Sequence, residues 1–174
     1  ICDGSEAIRT QMKELYPDTS IVSNYQSILE NPEIKAISLA TPAEMHASMT
    51  RQALLAGKDV LVEKPICLDN KEGLALHKLA LEKKRILMVG HLLWYHPAIL
   101  RLNSFIKNGD LGDIRYAYSN RLNMGKLRKQ ENVLWSFAPH DISVLLGLLN
   151  EKPKSVFTQG GNFVNHDIAD TTTT

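Results

Sequence analysis

A charged pair closing an apolar run is the first feature of this chain that suggests chemistry. Glu63-Lys64-Pro65 follows Val60-Leu61-Val62 without a break. Charges at the end of a buried strand are costly unless they are paired or used. Desolvation at such a place brings an ammonium toward the working range of a proton donor or acceptor. Pro65 biases Lys64 toward extended backbone, which aims the lysine off the strand end. Taken alone, the tripeptide fits a salt-bridged surface loop equally well. His140 is the second candidate. Pro139 before it reads as the first residue of a helix, which puts His140 in the first turn beside Asp141. The positive potential there disfavours imidazolium and leaves a proton acceptor, although a capping histidine gives the same pattern.

Three further positions suit a bound nucleotide. Asp3 ends the first visible strand, where an acidic side chain of a dinucleotide fold accepts hydrogen bonds from the adenosine ribose. An ordinary turn aspartate would look the same. Thr41-Pro42 follows the apolar run Ala36–Ala40 and opens a helix whose first N–H groups are open to phosphate or ribose. A well-capped helix needs no ligand, however. His46 lies one turn into that helix and alone reads as a packing or surface histidine.

The elements that must position these residues alternate up to about His91. Ser5 caps a helix to about Leu15, Ile21-Val22 is a short strand, and Tyr25–Glu30 a short helix. Ala36–Ala40 is a strand-length apolar run of the kind buried on both faces of a parallel sheet. Thr41 suits the cap of the next helix, Pro42 its first turn, and Glu44 a capping box, with Met45, Met49, Ala53 and Ala56 as its apolar stripe. Asp69 with Glu72 opens another helix, and Ile86–Val89 is the next strand. This order predicts a parallel, doubly wound α/β sheet. After Gly90 the pattern changes. A helix starts at Pro97, Ile114–Leu122 alternates as a strand, a helix starts at Pro139, and Val156–Val164 reads as strand. That predicts part of an α+β domain with a mainly antiparallel open sheet. The division is placed at residues 1–92 and 93–174.

The bulk numbers agree with a globular chain. Of 174 residues, 44% are hydrophobic and 22% charged, and the net charge of +1 gives no field favouring nucleic acid or an anionic membrane. Two scattered cysteines suggest a reducing compartment rather than a disulfide scaffold. No apolar run reaches the roughly 20 residues of a membrane span, so a cytoplasmic location is expected. The first residue is Ile1 and the last four are threonines, so both ends read as cuts through strands.

In order, Ala40-Thr41-Pro42, His46 and Ala56-Gly57-Lys58-Asp59-Val60-Leu61-Val62-Glu63-Lys64-Pro65 closely resemble the glucose–fructose oxidoreductase / inositol dehydrogenase / MocA (Gfo/Idh/MocA) family. Gly90 through Pro97, Leu111-Gly112-Asp113-Ile114 and His140-Asp141-Ile142 continue the match along essentially the whole chain. The resemblance implies a Rossmann domain whose Gly-rich loop precedes Ile1, then a domain whose open sheet builds homodimers or homotetramers. It implies Lys64 and His140 as catalytic residues, with Asp3, Thr41, Pro42, His46, Glu63 and Lys64 around the cofactor and no metal. Two departures stand out. Ser136 takes the place of an aspartate common in relatives, and Leu92 and Trp94 stand where asparagine and arginine are frequent. The run Leu134 to Ser143 is similar to a branch found with bacterial surface-polysaccharide synthesis.

The expected function is NAD(P)-dependent hydride transfer between a sugar or nucleotide-sugar hydroxyl carbon and nicotinamide. Asp3 tilts the cofactor to NAD over NADP, because a carboxylate repels a 2′-phosphate. Lys126, Arg128 and Lys129 could meet nucleotide-sugar phosphates, although a solvated basic loop fits better. An NAD-using glycoside hydrolase and a non-catalytic dinucleotide-binding regulator remain alternatives. Without the Gly-rich loop, residues 1–174 by themselves are expected to be inactive.

Overall fold

Every strand-to-strand step in the first ninety residues runs through a helix, and the strands pair in the order in which they occur. The computed structural model describes residues 1–122, 132–164 and 166–174. It divides into two compact units, Ile1–Gly90 and His91–Thr174. Lys126, Arg128 and Lys129 lie outside the described residues.

In the first unit, β1 (Ala36–Leu39), β2 (Asp59–Val62) and β3 (Leu87–Val89) form a parallel sheet in the order β1-β2-β3. Ile37 pairs with Val60 and Leu39 with Val62, and Val62 pairs in turn with Val89. Ile1–Asp3 meets the 21–22 segment only through a parallel bridge between Cys2 and Val22. The helices are α1 (Glu6–Leu15), α2 (Tyr25–Glu30), α3 (Ala43–Leu55) and α4 (Asn70–Lys83). Asp69 caps α4 as its sequence implies, its carboxylate accepting from Lys71 N at 2.8 Å and Glu72 N at 3.1 Å. The core is Leu29, Ile37, Leu39, Ala53, Leu54, Val60, Val62, Leu76, Leu79 and Ala80.

Two expectations change here. Burial alternates along β1 and β2, so Ile37, Leu39, Val60 and Val62 are inside while Leu61 is 41% exposed. Within the described residues one face of this sheet carries the core, whereas the apolar run had implied two. The inward face of α3 is His46, Thr50, Ala53 and Leu54, and Met45 points outward at 44% exposure. That face follows the spacing i, i+4, i+7, i+8 of a helix lying on a sheet. Thr50 and His46 fall outside the stripe read from the sequence because they are polar.

The second unit has a short 3₁₀ turn (Leu92–Tyr95), α5 (Pro97–Lys107), α6 (Val133–Leu149) and an antiparallel pair, β4 (Gln159–Gly161) with β5 (Thr171–Thr173). His96 caps α5 through its ring nitrogen, which accepts from Ala98 N at 3.2 Å. Trp94 packs against α6. A Cβ added at Gly147 would sit 1.8 Å from Trp94 Cζ2, and the indole Nε1–H donates to Ser143 O at 3.2 Å.

Three sequence expectations fail in this unit. Helix α6 begins at Val133, capped by Asn132, whose side-chain Oδ1 accepts from Trp135 N at 3.0 Å, and Pro139 lies inside it. A proline inside a helix removes one intrahelical donor and crowds the carbonyl four residues back, yet α6 runs through Pro139 from Val133 to Leu149. Segment 114–122 forms no strand, because an alternating pattern needs a neighbour to pair with. Its apolar side chains stand in solvent, Tyr116 at 80% and Leu122 at 88%. Of 156–164, only Gln159–Gly161 is paired.

Candidate cofactor and reaction site

Ligands of open parallel sheets lie beyond the carboxyl ends of the strands. In the first unit those ends are tied to one another. Glu63 N donates to Leu39 O at 2.9 Å, and Gly90 N to Val62 O at 2.8 Å. These two bonds bring the segments Ala40–Thr41, Glu63–Lys64 and Gly90 to one edge of the sheet.

Thr41 is half-buried, and its hydroxyl oxygen is sealed from solvent with no hydrogen-bond partner among the described residues. It therefore does not cap α3. Pro42, at ψ 144°, is the N-cap and supplies no side-chain bond. Met45 N turns back to Pro42 O at 2.9 Å, which leaves the Ala43 and Glu44 N–H groups without a partner among the described residues, and a helix start at this edge suits a dinucleotide.

Lys64 is half-buried and Pro65 buried, and the peptide between them is cis. Glu63 folds its carboxylate over Gly90. A Cβ at Gly90 would meet the carboxyl carbon and both oxygens at 3.0–3.1 Å, so only glycine leaves Glu63 that position. His46 is 2% exposed. Its Nδ1 lies 2.7 Å from Pro65 O and its Nε2 2.7 Å from Thr41 O. Both ring nitrogens face backbone, so the structure gives His46 internal partners, as a packing histidine has, where the family resemblance implied a cofactor-lining one.

Asp3 stands at the end of the bridge with Val22, its N–H donating to Val22 O at 3.2 Å. Its Oδ1 accepts from Ser5 N at 2.8 Å. Arg9 closes the same turn, Nη1 donating to Asp3 O at 2.9 Å and Gly4 O at 2.8 Å. Sequence reasoning passed over Arg9. A cation one turn inside the helix that follows an acidic strand end is the pattern that could have found it.

In the second unit His140 is the eighth residue of α6 rather than part of its first turn. The helix N-terminus is two turns away, so its field does not act on His140 as the proline had suggested. Asp141, beside it, is drawn elsewhere. It accepts from Ser119 Oγ at 2.8 Å and from Arg121 Nε at 2.6 Å and Nη2 at 3.3 Å. Burial pushes the Asp141 carboxyl up, but the hydrogen bonds from Arg121 and Ser119 and the nearby positive charge outweigh it. The carboxyl therefore sits below its ordinary value. Ser136, one turn before His140, is buried. Trp94, flagged as a departure, is occupied by its contact with α6.

The Gfo/Idh/MocA model, described as an oxidoreductase family with an NAD-binding Rossmann fold, matches residues 3–91. The chain belongs to this family. It is 33% identical over 129 residues to the UDP-N-acetylglucosamine 3-dehydrogenase of Acidithiobacillus ferrooxidans, covering 74% of this chain and 40% of that one. Among solved structures it is similar to an oxidoreductase-class protein of Bacillus subtilis, with a TM-score of 0.82 and 27% identity over 94% of this chain and 48% of the other. It also resembles a 3-ketoreductase from Actinomadura kijaniata, in complex with NADP and TDP-benzene. There the TM-score is 0.59 and the identity 29%, over 66% of this chain and 35% of the other. The chain thus spans less than half the length of each. Among the described residues no helix is long and apolar enough to cross a membrane.

Proposed function

We propose that the whole protein oxidises or reduces a hydroxyl-bearing carbon of a sugar or nucleotide-sugar, with Lys64 at the reaction centre. The observation that supports this reading is a half-buried lysine at the carboxyl edge of a parallel sheet in a chain of an oxidoreductase family. Asp3 would accept from the adenosine ribose, and Thr41 and the first turn of α3 would receive the remaining polar groups of a nicotinamide dinucleotide beside Pro42 and Glu63. When bound, that group supplies the acceptor or donor of hydride. Lys64 holds the substrate hydroxyl and stabilises the alkoxide that develops as its proton leaves. His140 takes that proton, a role carried by the resemblance of His140-Asp141-Ile142 to the family. The nucleotide-sugar choice is supported by the relative in Acidithiobacillus ferrooxidans, which is named for one. A setting in surface-polysaccharide synthesis and a homo-oligomeric assembly belong to the same proposal.

Asp3 favours NAD, since a carboxylate repels a 2′-phosphate, while Arg9 already serves two backbone carbonyls. Titrating the intact protein with NAD and with NADP tests this choice, and tighter NADP binding would reverse it. For the chemistry, Lys64→Met in the intact protein is expected to remove turnover of a UDP-sugar by at least about 10²-fold. Its dinucleotide affinity should stay within a few-fold. Turnover near that of the parent would make Lys64 a structural residue and end the proposal.

A further inference from the structure

We infer that His46 is a positioning residue for Lys64, bracing the strand end that carries the lysine against the neighbouring strand end. The inference rests on the reading of Lys64 given above, and it concerns a contact that the sequence did not suggest. Thr41 follows β1 and Pro65 follows β2, so neither carbonyl has a place in the sheet ladder. Each needs a donor from elsewhere if it is to be buried. Both oxygens face the one rigid ring of His46, 2.7 Å from a ring nitrogen each, at 2% exposure. Imidazole suits this because its two nitrogens lie in one rigid ring and point away from each other within its plane. With one hydrogen the ring donates to one carbonyl only, so the brace is the ring with hydrogen on both nitrogens, donating to both. An amide or hydroxyl side chain has no second donor atom on the far side.

The brace acts one residue from the lysine. Pro65 O belongs to the residue next to Lys64, so letting that carbonyl go frees the backbone from which the lysine side chain starts. The opposite end of the brace is anchored by α3, whose Thr50, Ala53 and Leu54 are buried in the same core. His46 thus transfers the rigidity of a packed helix to the Glu63-Lys64-Pro65 segment. A displacement of about 1 Å at a reacting group costs roughly 10²-fold in rate, so a brace at this point bears directly on turnover.

The test follows Lys64 itself and requires no substrate. Lysines of the intact protein are reductively methylated with ¹³C-formaldehyde, and the Lys64 signal is assigned by its loss in Lys64→Arg. In His46→Gln, which retains one donor, and His46→Ala, which retains none, the Lys64 signal is expected to shift or broaden. The larger change should be in His46→Ala, with the signals of Lys71 and Lys78 unmoved. A Lys64 signal unchanged in folded His46→Ala would overturn the inference. If the variants do not fold, the parent protein decides through ¹⁵N-labelled histidine. Hydrogen on both ring nitrogens of His46, each exchanging slowly, is expected, and a ring that carries one hydrogen or exchanges fast with water overturns the brace. The two readings separate cleanly. A moved Lys64 signal with full turnover in Lys64→Met keeps the brace and removes the catalytic role, and the opposite pair of results does the reverse.

Discussion

Gly147→Ala offers a direct check on how α6 is held. The added Cβ would lie 1.8 Å from Trp94 Cζ2, 2.4 Å from Cη2 and 3.0 Å from Cε2. Carbon atoms pack at about 3.5–4.0 Å, so the indole must withdraw by roughly half that distance. Such a shift breaks the Nε1–H bond to Ser143 O. Overpacking typically costs about 1–3 kcal/mol, and the lost hydrogen bond about 1 kcal/mol more. Replacing a helical glycine by alanine returns about 1 kcal/mol. The net expectation is destabilisation of about 1–3 kcal/mol, read as a lower urea midpoint in the intact protein. A changed emission of Trp94 should accompany it, measured in a Trp135→Phe background because the chain has two tryptophans. Trp94→Leu in the same chain should recover part of the loss, since the clash is with the ring. Gly147→Ala at parental stability, with unchanged emission, would refute the packing of Trp94 on α6.

Gly90→Ala should leave the urea midpoint nearly unchanged, because the obstructing atoms are the movable end of Glu63, yet it should weaken dinucleotide binding in a titration if Glu63 lines that site. The Tyr25 hydroxyl donates to Met49 O at 3.0 Å, and burial, with a smaller effect from Cys2, pushes it up to about 12. Its stabilising effect is therefore complete below about pH 10, the ordinary tyrosine value, and fades as pH rises toward 12; ultraviolet difference titration of the parent against Tyr25→Phe should show the late phenol. The lowered Asp141 carboxyl works in the opposite sense, its contribution being present above about pH 3.9 and lost as pH falls further. Arg121→Met should thus lower the urea midpoint at neutral pH by an amount worth about 1 kcal/mol or less, and the gap to the parent should narrow below that pH.

What could be read from the sequence was local. Each strand end in the first unit is announced by its own residues, Thr41-Pro42 after one apolar run and Glu63-Lys64-Pro65 after another. The cap at Asp69 needs only the amides two and three residues on. What could not be read depends on a partner distant in the chain. His46 finds Pro65 nineteen residues away, and Glu63 finds room only because Gly90 lacks a side chain. The start of α6 was misplaced because Pro139 is a strong local signal for a first turn. Asn132, the true cap, precedes an apolar run that gives its own weaker one. The alternation across 114–122 is a statement about a face, and a face makes a strand only when something pairs with its edge.

Lys58 turns one of these hidden contacts into a reporter. It is 5% exposed, and its ammonium donates to Asn31 O at 2.6 Å and Ile34 O at 2.8 Å, stitching the loop after α2 to the start of β2. An amine reagent reaches that nitrogen only when the stitch comes undone. Its labelling rate, set against that of exposed Lys78, therefore clocks how often this corner of the first unit opens while the rest stays folded. A lysine buried this way thus measures a breathing motion that no static distance records.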